Sequence, residues 1–371
     1  MAKKAYIGID SVARKIRKSY IGVDDVARRI KKAYIGIGGV ARPCWSGGEL
    51  VYYGTTTEQI ENRHSLAATS VGDYALFGGG YISNAGSSTV DAFNKSLTRT
   101  TPTKLSEPRF SLSAASVGNY ALFAGGISSN TATSAVDAYD TSLTRTTNSL
   151  KYARWGIGAT NIGDYALFGG GTDSNYSSDI FMAVDAFDKS LTRTAPDGLR
   201  GIRKDLAATN VGNFALLGGG NSGSPDSTVD AYDTSLTHTI PTGLSVGRQD
   251  LAAASVGDYA LFGGGYTSNG RKATVDAYDT SLTRTIPTEL SMGRDRLAAT
   301  SVGEYALFGG GNTVDSSLST VVDAYDTALT RTTPTALSNG KNDLAATSVG
   351  NYALFGGGYG TGSYVNVYTV V

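Results

Sequence analysis

The sequence predicts an all-β protein: a seven-bladed β-propeller closed by an N-terminal strand and preceded by a small antiparallel β-meander module. Three observations predict it. The stretch Leu66-Ala-Ala-Thr-Ser-Val-Gly-Asp-Tyr-Ala-Leu-Phe-Gly-Gly-Gly80 recurs in near-copies, with its aromatic anchor at Tyr74, Tyr120, Tyr165, Phe214, Tyr259, Tyr305 and Tyr352. These seven copies lie 45 to 49 residues apart, a period that marks propellers and arrays. The composition, with 48 Gly and 22 Tyr among 371 residues and 17 % charged, is that of strands and tight turns. Finally, the seventh copy runs out one strand short, and a strand-like segment stands before the first copy to supply it.

The first element is a module over residues 1–48, followed by the propeller over 49–371. Ala5-Tyr-Ile-Gly-Ile-Asp-Ser-Val-Ala-Arg14 returns as Ser19-Tyr-Ile-Gly-Val-Asp-Asp-Val-Ala-Arg28 and Ala33-Tyr-Ile-Gly-Ile-Gly-Gly-Val-Ala-Arg42, a period of 14. The pairs Asp10-Ser11, Asp24-Asp25 and Gly38-Gly39 suit two-residue hairpin turns. Long strands such as Val12 to Val23 are expected between them, with Val12, Ile16 and Tyr20 on one face and Lys15 and Arg17 on the other. Net charge is zero overall, but residues 1–45 hold 11 Lys/Arg against 3 Asp/Glu and the remainder holds 21 against 29. A basic attachment module on a mildly acidic body is the reading, with Lys15, Arg17, Arg29 and Lys31 as its candidate docking residues. A solvated, aggregation-resistant strand face is the plainer account of the same charges. Nucleic acid is disfavoured, because stacking platforms and a binding motif are lacking.

Each repeat then reads as four strands. Strand a is Leu66–Ser70, small and apolar as the crowded centre of a propeller requires. Val71-Gly72-Asp73 turns the chain into strand b, Tyr74–Phe77, which the Gly78–Gly80 run ends. A loop of varied length leads to strand c, Thr89–Phe93. Asn94-Lys-Ser96 leads to strand d, Leu97–Thr101. At the far end, Tyr364-Val-Asn-Val-Tyr368 matches strand c and no strand d follows. Val51-Tyr-Tyr-Gly-Thr55 sits where one should be, so it is expected to complete blade seven and remove two sheet edges. An Asp on strand c is followed eight residues later by Arg in Asp91/Arg99, Asp137/Arg145, Asp185/Arg193, Asp276/Arg284 and Asp323/Arg331, with Asp230/His238 as a variant. A direct cross-strand pair is expected; at the closing blade both partners change, to Asn366 and Tyr53.

Catalytic chemistry finds little support. The two histidines, His64 and His238, fall in different blades, and the one cysteine, Cys44, lies outside the propeller. No metal, cofactor or disulfide framework is expected. The Gly runs lack the Lys-Ser/Thr of a phosphate loop. No carboxylate recurs on strand a, which disfavours a glycan-cleaving centre. Met1-Ala-Lys-Lys opens no apolar run, so no signal peptide is expected, and no segment reaches membrane-spanning length.

The seven repeats differ chiefly in two places. The b–c loops vary in sequence and length, and so do the two residues between a recurrent Arg and the strand-a Leu: His64-Ser65, Phe110-Ser111, Trp155-Gly156, Lys204-Asp205, Gln249-Asp250, Asp295-Arg296 and Asn342-Asp343. In an up-and-down blade both places lie on one face, so that face is the candidate binding surface; drift at exposed loop tips is the competing account. Phe110 and Trp155 on exposed links suggest contact with something. Arg63, Arg109, Arg154, Arg203, Arg248 and Arg294, with Lys341, would ring the same face, reading an anionic ligand or bonding loop carbonyls. His64, Tyr81, Tyr176, Tyr266 and Tyr359 complete the candidate ligand residues. The basic module would then sit opposite this face.

The Gly run after an apolar strand, followed by an aromatic on strand c (Phe93, Tyr139, Phe187, Tyr232, Tyr278, Tyr325), resembles the kelch-repeat propeller. The Trp that the kelch pattern usually places near Arg99 or Thr100 is missing. Kelch propellers that bind peptides use the face described above, which the resemblance makes relevant. Together with the Tyr-Ile-Gly…Val-Ala-Arg repeats, the chain resembles structural proteins of phages and prophages of Gram-positive bacteria. The resemblance implies a tail-associated, virion-exposed protein, assembled in the host bacterial cytoplasm, that touches a host glycan or protein. Other tail proteins would hold residues 1–48, and the chain could form an oligomer. A scaffold meeting only other subunits is the alternative.

Overall fold

The computed structural model describes all residues except 1–5, 10–11, 16–19, 24–25, 30–31, 38–39, 47 and 174–181, and describes residues 6–46 as backbone. The chain divides into two compact units, Met1–Val51 with Val370–Val371, and Tyr52–Thr369.

In the first unit each 14-residue repeat makes its own antiparallel hairpin: Tyr6–Ile9 with Val12–Lys15, Tyr20–Val23 with Val26–Arg29, and Lys32–Ile37 with Val40–Ser46. The registers Ile9↔Val12, Val23↔Val26 and Ile37↔Val40 match the two-residue connections expected, although the connecting residues lie outside the described ones. The long strands expected here run through residues 16–19 and 30–31, which lie outside the described ones. No ladder joins one hairpin to the next among the described residues. Closing a hairpin across two residues costs little loop entropy, so each repeat pairs with itself. In the third hairpin the register shifts between Ala33 and Tyr34, opposite Pro43 and Cys44; proline has no N–H to give the ladder and favours such a bulge.

The second unit is a ring of seven four-stranded antiparallel blades. In blade one the strands are Ala67–Val71 (a), Tyr74–Gly78 (b), Val90–Asn94 (c) and Arg99–Thr100 (d), and the other blades repeat this. Register Val71↔Tyr74 leaves Gly72-Asp73 as a two-residue turn. Blade seven takes its strand d from Leu50–Thr56, beside Val365–Val370. The inferred ring closure is therefore present, with one correction: the partner of Asn366 is Tyr52, whose hydroxyl donates to Asn366 Oδ1 at 2.9 Å.

Strand a lines the axis. Ala68, Ala114, Ala159, Ala208, Ala253, Ala299 and Ala346 face a channel of about 300 Å³, and only side chains this small let seven strands converge. Strand b supplies the core. Ala75, Leu76 and Phe77 are fully buried, as are their counterparts, and each buried Leu or Phe stabilises by about 1.5–3 kcal/mol. The Phe of one blade packs into the preceding blade, as Phe77 does against Leu354 and Val365. Glycine at the end of strand b makes room for it: a Cβ on Gly78 would stand 2.7 Å from the Phe123 ring. The next glycine, Gly79, has φ +70°, and a Cβ there would stand 2.7 Å from the Arg109 carbonyl oxygen. The Gly runs are blade geometry, as read.

The c–d turn consumes Lys95–Leu97 rather than Asn94–Ser96, with Asn94 N bonded to Thr98 O and Leu97 N to Asn94 O. Arg99 therefore lies opposite Phe93, not Asp91, and the repeated Asp/Arg pairs are diagonal, from 2.9 Å in Arg193–Asp185 to 3.9 Å in Arg99–Asp91. Leu97 takes a left-handed φ of 59°, at a cost of about 1–2 kcal/mol for a non-glycine residue. Its burial in an apolar cluster shared with blade seven offsets that cost.

Candidate functional site

The links from strand d to strand a build the variable face. Each begins with the recurrent Arg, and of the two roles expected for it, reading an anion or bonding carbonyls, the first fails. Arg63, Arg109, Arg154, Arg203, Arg248 and Arg294 are fully buried and do not ring the surface. Each lies against the strand-c Asp of its own blade, as Arg63 does with Asp91 and Arg248 with Asp276, both at 2.7 Å, and donates to a strand-b carbonyl, Phe77 O and Phe262 O in these two cases. The other oxygen of the Asp accepts a link N–H, such as Ser245 N at 2.9 Å. The Arg carbonyl in turn accepts from the third glycine of the preceding blade, as Gly80 N does with Arg109 O. Burial pulls Arg63, Arg154, Arg248 and Arg294 below the ordinary guanidinium range, opposed by their Asp partners. Burying a cation is costly unless it is paired; these residues hold loop carbonyls and carboxylates and offer nothing to an anionic ligand.

In blade seven Lys341 and Asn366 replace the pair. Lys341 Nζ donates to Gly362 O at 2.7 Å, and burial lowers its pKa to about 8.

The residue after each Arg forms a rung with the first residue after a Gly run. The rungs are His64–Tyr81, Phe110–Ile127, Trp155–Thr172, Lys204–Asn221, Gln249–Tyr266, Asp295–Asn312 and Asn342–Tyr359. Paired backbone bonds hold them, such as Tyr81 N to His64 O at 2.7 Å and Trp155 N to Thr172 O at 2.9 Å. The frame is the same seven times and the side chains differ each time. Neighbouring rungs touch. Tyr359, His64, Tyr81 and Phe110 form one chain of rings, with centroids 5.7, 5.4 and 4.7 Å apart. Lys204 lies 4.2 Å over the Trp155 ring, and Asn342 donates to Asn312. Burial, and secondarily the charge of Arg296, keep His64 below the usual imidazole range, so it is neutral at pH 7. Tyr359 is 61 % and Tyr266 38 % exposed, but Tyr266 stands in blade five, away from the ring chain. Tyr176, Arg17 and Lys31 lie outside the described residues. Lys15 and Arg29 are on hairpin strands opposite Tyr6 and Tyr20.

The second variable residue of each link lies nearer the axis, and sequence reasoning missed its role. Ser65, Ser111, Gly156, Asp205, Asp250, Arg296 and Asp343 all have φ between 50° and 68°. Backbone bonds join them across blade boundaries, from Ser65 N to Asp343 O, Asp343 N to Arg296 O, Arg296 N to Asp250 O, and onward. They rim an axial mouth of about 240 Å³. Three carboxylates and one guanidinium face it, with Arg296 3.7 Å from Asp343. Burial raises Asp205 to about 7 and Asp343 to about 6, and raises Asp250. The signal was present as a position that varies, but periodicity alone did not show that it points inward. No group of three His, Cys, Asp or Glu suited to a metal occurs among the described residues.

No family model and no curated protein matches the chain. Among solved structures, that of YjhT is similar with a TM-score of 0.61 and 15 % identity, covering 76 % of this chain and 99 % of that one. This likeness supports the propeller fold alone.

Proposed function

We propose that the propeller is a non-enzymatic binding module that reads a host-surface receptor, protein or glycan, through its b–c and d–a face, within a tail-associated protein of a phage or prophage virion. One observation carries the binding reading: seven rungs share one backbone geometry yet bear fourteen side chains in seven different combinations. Uniform framework with variable side chains is how a rigid scaffold presents a recognition surface. The virion setting rests on the resemblance of the N-terminal repeats and the kelch-like body, and gives residues 1–48 the task of docking to other tail proteins.

The test is retention of the full chain on a panel of bacterial cells and isolated cell walls. Saturable, strain-selective retention that falls at least tenfold in both Phe110→Ala and Trp155→Ala is the expected result. Unchanged retention in both variants removes the assignment to this face. Retention on no surface, with association only to other particle proteins, supports the scaffold instead. A second reading takes its support from the axial carboxylates, since glycan cleavage needs a carboxylic acid with raised pKa beside an ionised partner. Release of reducing ends from the walls during incubation would favour it.

A further inference from the structure

We propose that the ligand of the variable face is an uncharged saccharide, seated on the crescent Tyr359–His64–Tyr81–Phe110 where blades seven, one and two meet. The proposal rests on the binding reading above and narrows it to a ligand class and a place on the ring.

The crescent is a contiguous aromatic surface. Its rings touch across blade boundaries, tilted or edge-on to one another, and Tyr359 is the most exposed of them. All four rings stand on backbone rungs. Rigid aromatic side chains supply contact area at low entropic cost on binding.

Its surroundings are electrically spent. The nearest cations are paired: Arg63 with Asp91, Arg109 with Asp137, Lys341 with the Gly362 carbonyl, and Arg296, whose charge reaches His64, with Asp343 at 3.7 Å. His64 is neutral at pH 7. Glu61 and Glu58 accept from the hydroxyls of Ser87 and Ser363. A phosphate- or carboxylate-bearing polymer finds no unpaired counter-charge here, whereas a neutral polyol needs none.

The rung beneath the outermost ring is polar. Asn342 is the rung partner of Tyr359 and is 8 % exposed. Its amide nitrogen donates to Asn312 Oδ1 at 2.7 Å, and its Oδ1 has no partner among the described residues. That oxygen is itself buried, so the group shapes the rung beneath Tyr359 and does not meet a ligand directly. Sugar rings combine C–H faces that lie on aromatic rings with hydroxyl edges that donate. A protein partner would instead need a broad dry apolar core, and the crescent is a narrow strip beside the polar axial mouth.

The experiment uses the full chain on the cell walls that retain it. Walls are treated with periodate, which cleaves the bond between vicinal ring hydroxyls, or with protease. Periodate is expected to abolish retention and protease to leave it unchanged. Tyr359→Ala should lower affinity at least tenfold, while Tyr53→Ala, on strand d of blade seven and 58 % exposed, should stay within twofold. Circular dichroism of both variants confirms folding. Retention that survives periodate, or that protease removes, overturns the saccharide while leaving the binding face in place. Wild-type affinity in Tyr359→Ala overturns the crescent. Retention on no untreated wall removes this proposal together with the reading beneath it.

Discussion

The seven repeats act as controls for one another at the level of a single side chain. Six links place a leucine where its N–H bonds to a carbonyl just before strand c, as Leu105 N does with Ser88 O and Leu337 N with Thr320 O. Those leucines are at most 4 % exposed. The link into blade one places Gln59 there, with Gln59 N bonded to Ser363 O at 3.0 Å. Gln59 is 2 % exposed, and neither amide atom has a partner among the described residues. Desolvating such a group without a bond costs about 1–3 kcal/mol. Gln59→Leu is therefore expected to stabilise the propeller by about 1–3 kcal/mol, seen as a higher urea midpoint at unchanged slope; a lower midpoint would mean that the amide is satisfied in solution. The arginines show why residue roles were harder to read than residue positions. A charged side chain on a link between strands suggests the surface. Its burial is decided by the strand-c Asp 27 to 31 residues later, in pairs such as Arg203/Asp230 and Arg154/Asp185. The sequence held the clue, because Arg and Asp change together in one repeat, to Lys341 and Asn366. The eight-residue count pairs Asn366 with Tyr53 instead, since a fixed spacing repeated in six blades is easier to see than contact across a blade.

The blade is the unit in which that pairing acts. Arg248 and Asp276 tie a link to strand c, and removing either leaves the other buried and uncompensated, a loss of about 3–5 kcal/mol. Blade seven shows the neutralised alternative. Arg248→Lys and Asp276→Asn should each destabilise strongly alone. The double variant, which copies Lys341 and Asn366, should lose less than the sum of the two by at least about 1 kcal/mol. A double-mutant cycle from denaturant unfolding measures this, and additive losses would show that the ion pair contributes no coupling. Strand identity at this scale was largely legible from residues. Val71-Gly-Asp followed by Tyr-Ala-Leu-Phe-Gly marks a turn between two apolar strands, and the a and b strands fall within a residue or two of their expected bounds. Turn register was less legible. Leu97 in a left-handed conformation shifts the c–d ladder, and a leucine gives no local hint that it will tolerate positive φ; the offset comes from contacts with blade seven. In the N-terminal unit the 14-residue period located the strand pairs that close each hairpin, Ile9 with Val12, Val23 with Val26 and Ile37 with Val40.

Closing the ring creates what no single blade contains. Strand Leu50–Thr56 completes blade seven, a feature visible in the sequence because the last repeat lacks its fourth strand. With the ring complete, Asp205, Asp250 and Asp343 from blades four, five and seven converge on the axial mouth. Burial raises all three, Asp205 to about 7 and Asp343 to about 6, from an ordinary 3.8. The folded protein therefore holds protons that the unfolded chain has released between about pH 4 and pH 7. Stability from this cluster is fully present below the unfolded pKa and declines as pH rises through the folded values. The protons belong to the group of carboxylates rather than to one residue. Arg296 and Lys204, 3.7 and 3.8 Å from Asp343 and Asp205, limit the loss. The Asp205 side chain is 22 % exposed, so solvent screening reduces the effect to on the order of 1 kcal/mol. Asp205→Asn keeps a neutral group in place at every pH. Urea midpoints for wild type and Asp205→Asn at pH 5 and pH 8 isolate the contribution, because titrations elsewhere in the chain are common to both. The variant should gain on the wild type at pH 8 relative to pH 5; an identical pH dependence in the two proteins would show that Asp205 is ionised in the folded ring well below neutrality.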